Sequence, residues 1–134
     1  MFLGAVVGFL LWFRRSRLNA EFLAPGSWRY SAGFAVGAWF VPLVMWWIPR
    51  RIALDIWRAS PPATGAWVVD AWWAAWVGNA FCTVLAQQFG ERFYGYTLLG
   101  QAGYVAAAVL VVVMIRQVSA RQEAAFRASR PVAV

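Results

Sequence analysis

Histidine and lysine are absent from the 134 residues, cysteine occurs once, and only five side chains are acidic. Without histidine there is no imidazole to act as a general base near neutral pH or to bind a metal. The single Cys82 excludes an internal disulfide, and no Cys or His pair exists for a zinc site. Charged residues make up 13% of the chain, against roughly 25% in an ordinary soluble domain. So little charge cannot cover the surface of a soluble protein, and a bilayer is the natural solvent. No catalytic constellation and no cofactor motif is present, so the expectation is a non-enzymatic protein.

What is there is apolar and basic. Hydrophobic residues reach 63%, with ten tryptophans, and the net charge is +7, carried by twelve arginines. This arginine-only, Ala-, Val-, Gly- and Trp-rich composition suggests a GC-rich bacterial genome. The arginines stand in short clusters between apolar runs rather than in a stripe with interleaved polar residues, which argues against nucleic acid. Anionic phospholipid is the expected counter-charge.

Four apolar segments are legible, at about 1–13, 30–49, 63–86 and 98–115, within a single membrane domain covering 1–134. The first ends at Arg14, Arg15 and Arg17. Charges that follow the apolar run are the reverse of a signal peptide, so it reads as a retained membrane helix. Its thirteen residues reach about 20 Å, short of a hydrocarbon core of about 30 Å, which suggests a longer native helix or snorkelling arginines. Between segments two and three, Ile52, Ala53, Ile56 and Trp57 share one helical face and Arg51, Asp55 and Arg58 the other. That pattern predicts a short interfacial helix at about 50–60, closed by Pro61 and Pro62.

Segment two decides the topology. If all four segments span, the arginines divide five against seven and give almost no orientation signal. If segment two enters and returns on one face, eleven fall on one side and only Arg92 on the other, which the positive-inside rule prefers. Pro42 and Pro49 are the expected structural breaks. The expected fold is therefore all-α and polytopic: three transmembrane helices, one Pro-broken re-entrant or fourth spanning segment, and the interfacial helix. The N-terminus lies outside and the tail 116–134 is cytoplasmic, in a bacterial inner membrane.

The motifs Phe9–Ala20 (FLLWFRRSRLNA), Gly37–Pro42 (GAWFVP), Pro49–Ile52 (PRRI), Trp57–Ser60 (WRAS) and Trp72–Trp76 (WWAAW) resemble, in order, the DUF4328 family. The resemblance runs from about Phe2 to Gln122 and implies a bacterial, mainly actinobacterial, membrane protein with no known activity and no established site residues. Members commonly carry a further hydrophobic segment upstream. Where the family usually has an Asn and a basic residue between Pro42 and Pro49, this chain has Met45 and Ile48.

Candidate sites follow from the residues themselves. Arg50, Arg51 and Arg58, with Trp57 in the membrane interface, are the expected anchors for anionic lipid head groups or a protein partner. Ordinary positive-inside flanking is the competing account. Asp70, near the start of segment three, is an intramembrane carboxylate and a default functional hypothesis, although an ion pair with nearby arginines would satisfy it. Asp55 can pair with Arg51 and Arg58. Asn79, Thr83 and Gln87 form a polar stripe that glues helices, with Gln101 a possible partner. Cys82 and Ser60 are read as structural. Gly4/Gly8 and Gly33/Gly37 predict close helix contacts and allow a homo-oligomer. Trp72, Trp73 and Trp76 are expected to pack on the broken segment. The leading functional reading is a membrane scaffold or accessory component with an arginine platform. The alternative is a small transporter or channel subunit using the broken segment and Asp70.

Overall fold

The computed structural model describes residues 2–26, 28–89 and 94–130, apart from the side chains of residues 2, 94 and 96. It is helical: α1 (Phe2–Leu23), α2 (Ala32–Gly37), a 3₁₀ turn (Val44–Trp46), α3 (Ile48–Ala59), α4 (Trp67–Phe89) and α5 (Tyr94–Ser129). Among the described residues there is no strand. Its contacts divide into two units, one comprising Met1–Ala66 with Arg116–Val134, the other Trp67–Ile115. Eleven of the twelve arginines fall within the bounds of the first unit. Arg92, the exception, lies outside the described residues.

In the first unit α1 does not stop at its arginines. It continues through Arg14, Arg15 and Arg17 to Leu23, because Arg, Leu and Ala all favour helix and Arg17 finds partners inside the fold. The expected short apolar first helix is corrected accordingly. Phe9 and Phe13 on α1 meet Trp39 edge-on, with ring centroids 5.5 and 6.2 Å apart. Phe13, Ala20, Ala35, Ala38, Ile52, Ile56 and Trp57 are buried.

Segment 30–49 is broken, and no helix in it is continuous. Ser31 caps α2, its hydroxyl accepting from the Phe34 amide at 3.1 Å. Turns follow from Ala38 to Leu43 around Pro42, which lacks an amide donor. Pro49 starts rather than interrupts a helix, sitting in the first turn of α3, where its missing N–H costs nothing. The helix expected at 50–60 is α3, with the predicted amphipathic pattern. Its apolar face, Ile52, Ala53, Ile56 and Trp57 included, is however buried, so protein rather than lipid covers it.

In the second unit, α4 and the Tyr94–Ile115 part of α5 pack closely through small residues. A Cβ on Gly103 would stand 3.4 Å from the Ala75 carbonyl oxygen and 3.5 Å from Asn79 Cβ, and one on Gly100 3.5 Å from Cys82 Cβ. Ala107 is buried one turn further along. Among the described residues the close helix contacts predicted at Gly4, Gly8, Gly33 and Gly37 do not occur within the chain: a Cβ on Gly4, Gly8 or Gly37 would meet nothing within 4 Å, and one on Gly33 only Ser31 Oγ at 4.0 Å. Replacing Gly103 by Leu is therefore expected to destabilise the α4–α5 pair by about 1–3 kcal/mol through overpacking, while Gly8→Leu is tolerated. Thermal unfolding of the detergent-solubilised variants checks this, and equal tolerance at both positions would contradict the packing.

Among the described residues two helices, Trp67–Phe89 and Thr97–Ser129, are long and apolar enough to cross a membrane, and only 22% and 17% of their most apolar stretches are buried. Phe81, Val84, Leu98, Leu99, Val105, Val109 and Val112 are among the exposed apolar side chains. α1 is not of this kind, since its second half carries Arg14, Arg15, Arg17 and Glu21. At about 1.5 Å per residue the 36 residues of α5 reach about 54 Å, well beyond a hydrocarbon core of about 30 Å. The tail thus extends the helix of segment four to Ser129.

Candidate functional site

Two of the three arginines singled out in the sequence, Arg51 and Arg58, line one cleft. Arg51 and Arg58 are seven residues apart on α3, hence on one face, with Leu54 and Asp55 between them. Together with Arg29 and Tyr30, from the connection between α1 and α2, they line a cleft of about 320 Å³. Arg58 Nη1 lies 3.9 Å from Asp55 Oδ1, the i,i+3 pair anticipated from the spacing. The lining thus holds three guanidinium groups against one carboxylate. Arg50 is half-buried and does not line this cleft.

Trp57 is not on the platform. It is 0% exposed, which overturns its assignment to the membrane interface. Its Nε1 donates to the Thr64 carbonyl at 3.0 Å, Arg121 Nη2 donates to the same oxygen at 3.1 Å, and the Arg121 guanidinium lies 4.2 Å over the indole ring. The chain can fold back over the ring because Gly65 adopts a positive φ of 77°. The polar edge of the indole finds its partner inside the protein, so nothing draws the ring out to lipid.

The backbone on either side of Arg29 is held by a residue whose burial the sequence does not announce. Arg17 is 2% exposed. Its Nη2 donates to the Tyr30 carbonyl at 2.6 Å, its Nη1 to Glu21 Oε2 at 3.1 Å, and its guanidinium stacks 3.9 Å from the Trp28 ring centroid. Trp28 in turn donates from Nε1 to the Ala24 carbonyl at 2.7 Å, and Tyr30 stacks on Phe34 with centroids 5.4 Å apart. Residues on both sides of Arg29 are therefore tied to α1 through one buried cation. The available signal was positional: Arg17 follows Phe13 by four residues and precedes Ala20 by three, on a face that turns out to be the buried one.

A second polar cluster links α1, α3 and the C-terminal part of α5. Gln122 is buried; its Nε2 donates to the Ser16 carbonyl at 3.0 Å and to Ser60 Oγ at 3.3 Å, while its Oε1 accepts from Asn19 Nδ2 at 3.2 Å. Ser60 Oγ donates onward to the Ile56 carbonyl at 2.8 Å, a structural role as the sequence suggests. Replacing Gln122 by Leu removes three hydrogen bonds at once: the Ser16 carbonyl and Asn19 Nδ2 lose this partner, and Ser60 Oγ keeps only its bond to the Ile56 carbonyl. A cost of about 2–3 kcal/mol is expected, as buried polar atoms left unsatisfied lose about 1–3 kcal/mol each, partly relieved by relaxation. Unfolding of the variant beside Asn19→Ala, which strands fewer groups, measures it.

The remaining predicted residues lie apart from the cleft. Asp70 is exposed in the first turn of α4, where a carboxylate complements the helix N-terminus. Thr83 Oγ1 donates to the Asn79 carbonyl within α4 at 2.9 Å, a common intrahelical resolution for a hydroxyl in an apolar helix. Asn79 lies over Gly100 and Gly103, not against Gln101, which is exposed. Gln87 is exposed as well. Trp72 and Trp73 are buried, and Trp73 stacks on Trp76 at 5.0 Å. Among the described residues no group of three or more acidic or thiol side chains could hold a metal ion. The recurrent ligand chemistry is guanidinium.

Neither a curated protein nor a solved structure matches the chain. A family model, the domain of unknown function DUF4328, matches residues 1–123, in agreement with the motifs from Phe9 to Trp76. The chain belongs to the DUF4328 family.

Proposed function

We propose that this protein is a non-enzymatic component of a bacterial cytoplasmic membrane that presents an arginine platform to anionic lipid head groups or a protein partner on the cytoplasmic side. The observation that carries the reading is the cleft between Arg29, Arg51 and Arg58, an excess of fixed positive charge that a counter-anion would neutralise. A topology in which only α4 and α5 cross suffices to put eleven arginines on one face, as the positive-inside rule favours. Segment 30–49 then stays on that face, and the C-terminus is cytoplasmic.

Single-cysteine labelling in a Cys82→Ser background tests this topology. Gln88→Cys should react from outside the cell, and Tyr30→Cys, Ile48→Cys and Ser129→Cys only after permeabilisation. Labelling of Tyr30→Cys and Ile48→Cys from opposite faces would refute the arrangement.

The transporter reading needs Asp70 on a conduction path. The exposed first-turn position of Asp70 is accounted for by helix electrostatics without one. Flux through proteoliposomes that disappears in Asp70→Asn would favour transport over the platform.

A further inference from the structure

We propose that the cleft between the α1–α2 connection and α3 is a site for a phosphate monoester dianion. This deepens the platform reading and rests on it. Three arginines with one carboxylate leave the lining with a formal excess of two positive charges. A phosphate monoester carries about −1.5 to −2 at neutral pH and matches that excess, whereas a phosphodiester carries −1 and leaves one charge uncompensated. Guanidinium groups bind phosphate oxygens in a bidentate fork, so the residue type suits the ligand as well as the charge does. Asp55 Oδ1 stands 3.9 Å from Arg58 Nη1 as an ion pair, so the one carboxylate of the lining offsets part of the Arg58 charge and leaves that of Arg29 and Arg51.

The geometry is built rather than incidental. Arg51 and Arg58 are fixed on one face of α3, and α3 is anchored by a buried apolar face. Arg29 comes from a different stretch of chain and would be free to swing away. The backbone that carries it is held because Arg17, itself buried, bonds the Tyr30 carbonyl and stacks on Trp28, on either side of it. Arg17 is thus a positioning residue for the anion site. The free phosphate and the lipid head group share the same chemistry: a terminal phosphate with two ionisable oxygens.

Native mass spectrometry of the full detergent-solubilised chain, titrated with phosphatidic acid or phosphatidylglycerol, tests the proposal. Phosphatidic acid, the monoester, is expected to bind about tenfold more tightly than phosphatidylglycerol, the diester. Arg29→Gln and Arg51→Gln should each weaken it by about tenfold, the scale of a charge-assisted hydrogen bond, while Arg127→Gln, outside the cleft, leaves it unchanged. If Arg17 positions Arg29, Arg29→Gln costs little further affinity in an Arg17→Met background, a non-additivity that a purely structural role would not produce. Should Arg17→Met fail to fold, the exposed Arg29→Gln and Arg51→Gln variants still decide. Glycerol 3-phosphate in competition separates the sources: displacement shows that the soluble phosphate suffices, and its failure to displace bound phosphatidic acid assigns the site to the lipid. Equal binding of the two lipids, abolished by Arg51→Gln, would overturn the monoester site and leave the platform standing. Absence of binding to either lipid would overturn both.

Discussion

Trp57→Ala is expected to cost about 3–5 kcal/mol, as truncations of buried large aromatics do, and to be the most damaging single change in the arginine-bearing unit. Three losses coincide at this position. The ring is fully buried, so its removal opens a cavity that α3, held along the rest of its apolar face, cannot collapse. The Thr64 carbonyl loses one of its two donors. Arg121 loses the π face over which its charge sits, a contact of about 0.5–2 kcal/mol. Arg121 Nη1 is buried without a hydrogen-bond partner among the described residues, so this cation already depends on the ring. Trp57→Phe separates the effects, keeping most of the volume and a π face but not the N–H, and should lose only about 1–2 kcal/mol. Thermal and denaturant unfolding in a single detergent give both values. A Trp57→Ala protein within about 1 kcal/mol of wild type would mean that the ring is not the keystone of this unit.

Arg17→Ala is the second large effect, at about 2–4 kcal/mol. The charged hydrogen bond to the Tyr30 carbonyl contributes about 1.5–3 kcal/mol, and stacking on Trp28 adds about 0.5–2 kcal/mol. The ion pair with Glu21 adds little, because Glu21 is 53% exposed and water screens it. Glu21→Gln should therefore cost under about 1 kcal/mol. Arg17→Lys should not rescue, because an ammonium lacks the planar fork that bonds a carbonyl while stacking on an indole. If Glu21→Gln proved as damaging as Arg17→Ala, the ion pair and not the carbonyl bond would be the source of stability.

Both predictions concern residues whose type is plain in the sequence and whose role is not. Trp57 lies where an amphipathic pattern and a neighbouring arginine pair resemble an interfacial anchor. The same pattern serves a helix whose apolar face is covered by protein, since periodicity reports that a face is apolar and not what covers it. Arg17 reads as the last of a basic cluster flanking an apolar helix. Its burial depends on Tyr30 and Trp28, which reach it through a turn at Gly26. The glycine spacing misleads for a related reason: Gly4/Gly8 and Gly33/Gly37 have the motif, yet among the described residues it is Gly100 and Gly103, three apart, that face a neighbouring helix closely.

The sequence alone determined the helical class, the apolar character of α4 and α5, the break around Pro42, the amphipathic α3 and the family. All of these are local: they follow from composition, from periodicity, or from one residue lacking an amide hydrogen. Tertiary structure decided what each face meets. Gln122 binds the Ser16 carbonyl across 106 positions of chain, and Arg29 joins Arg51 and Arg58 around one cleft. Which side chains face one another across such distances depends on the course of the whole chain. The sequence therefore shows that arginines cluster on a few segments, and only the fold shows that one of them is buried against the residues that flank another.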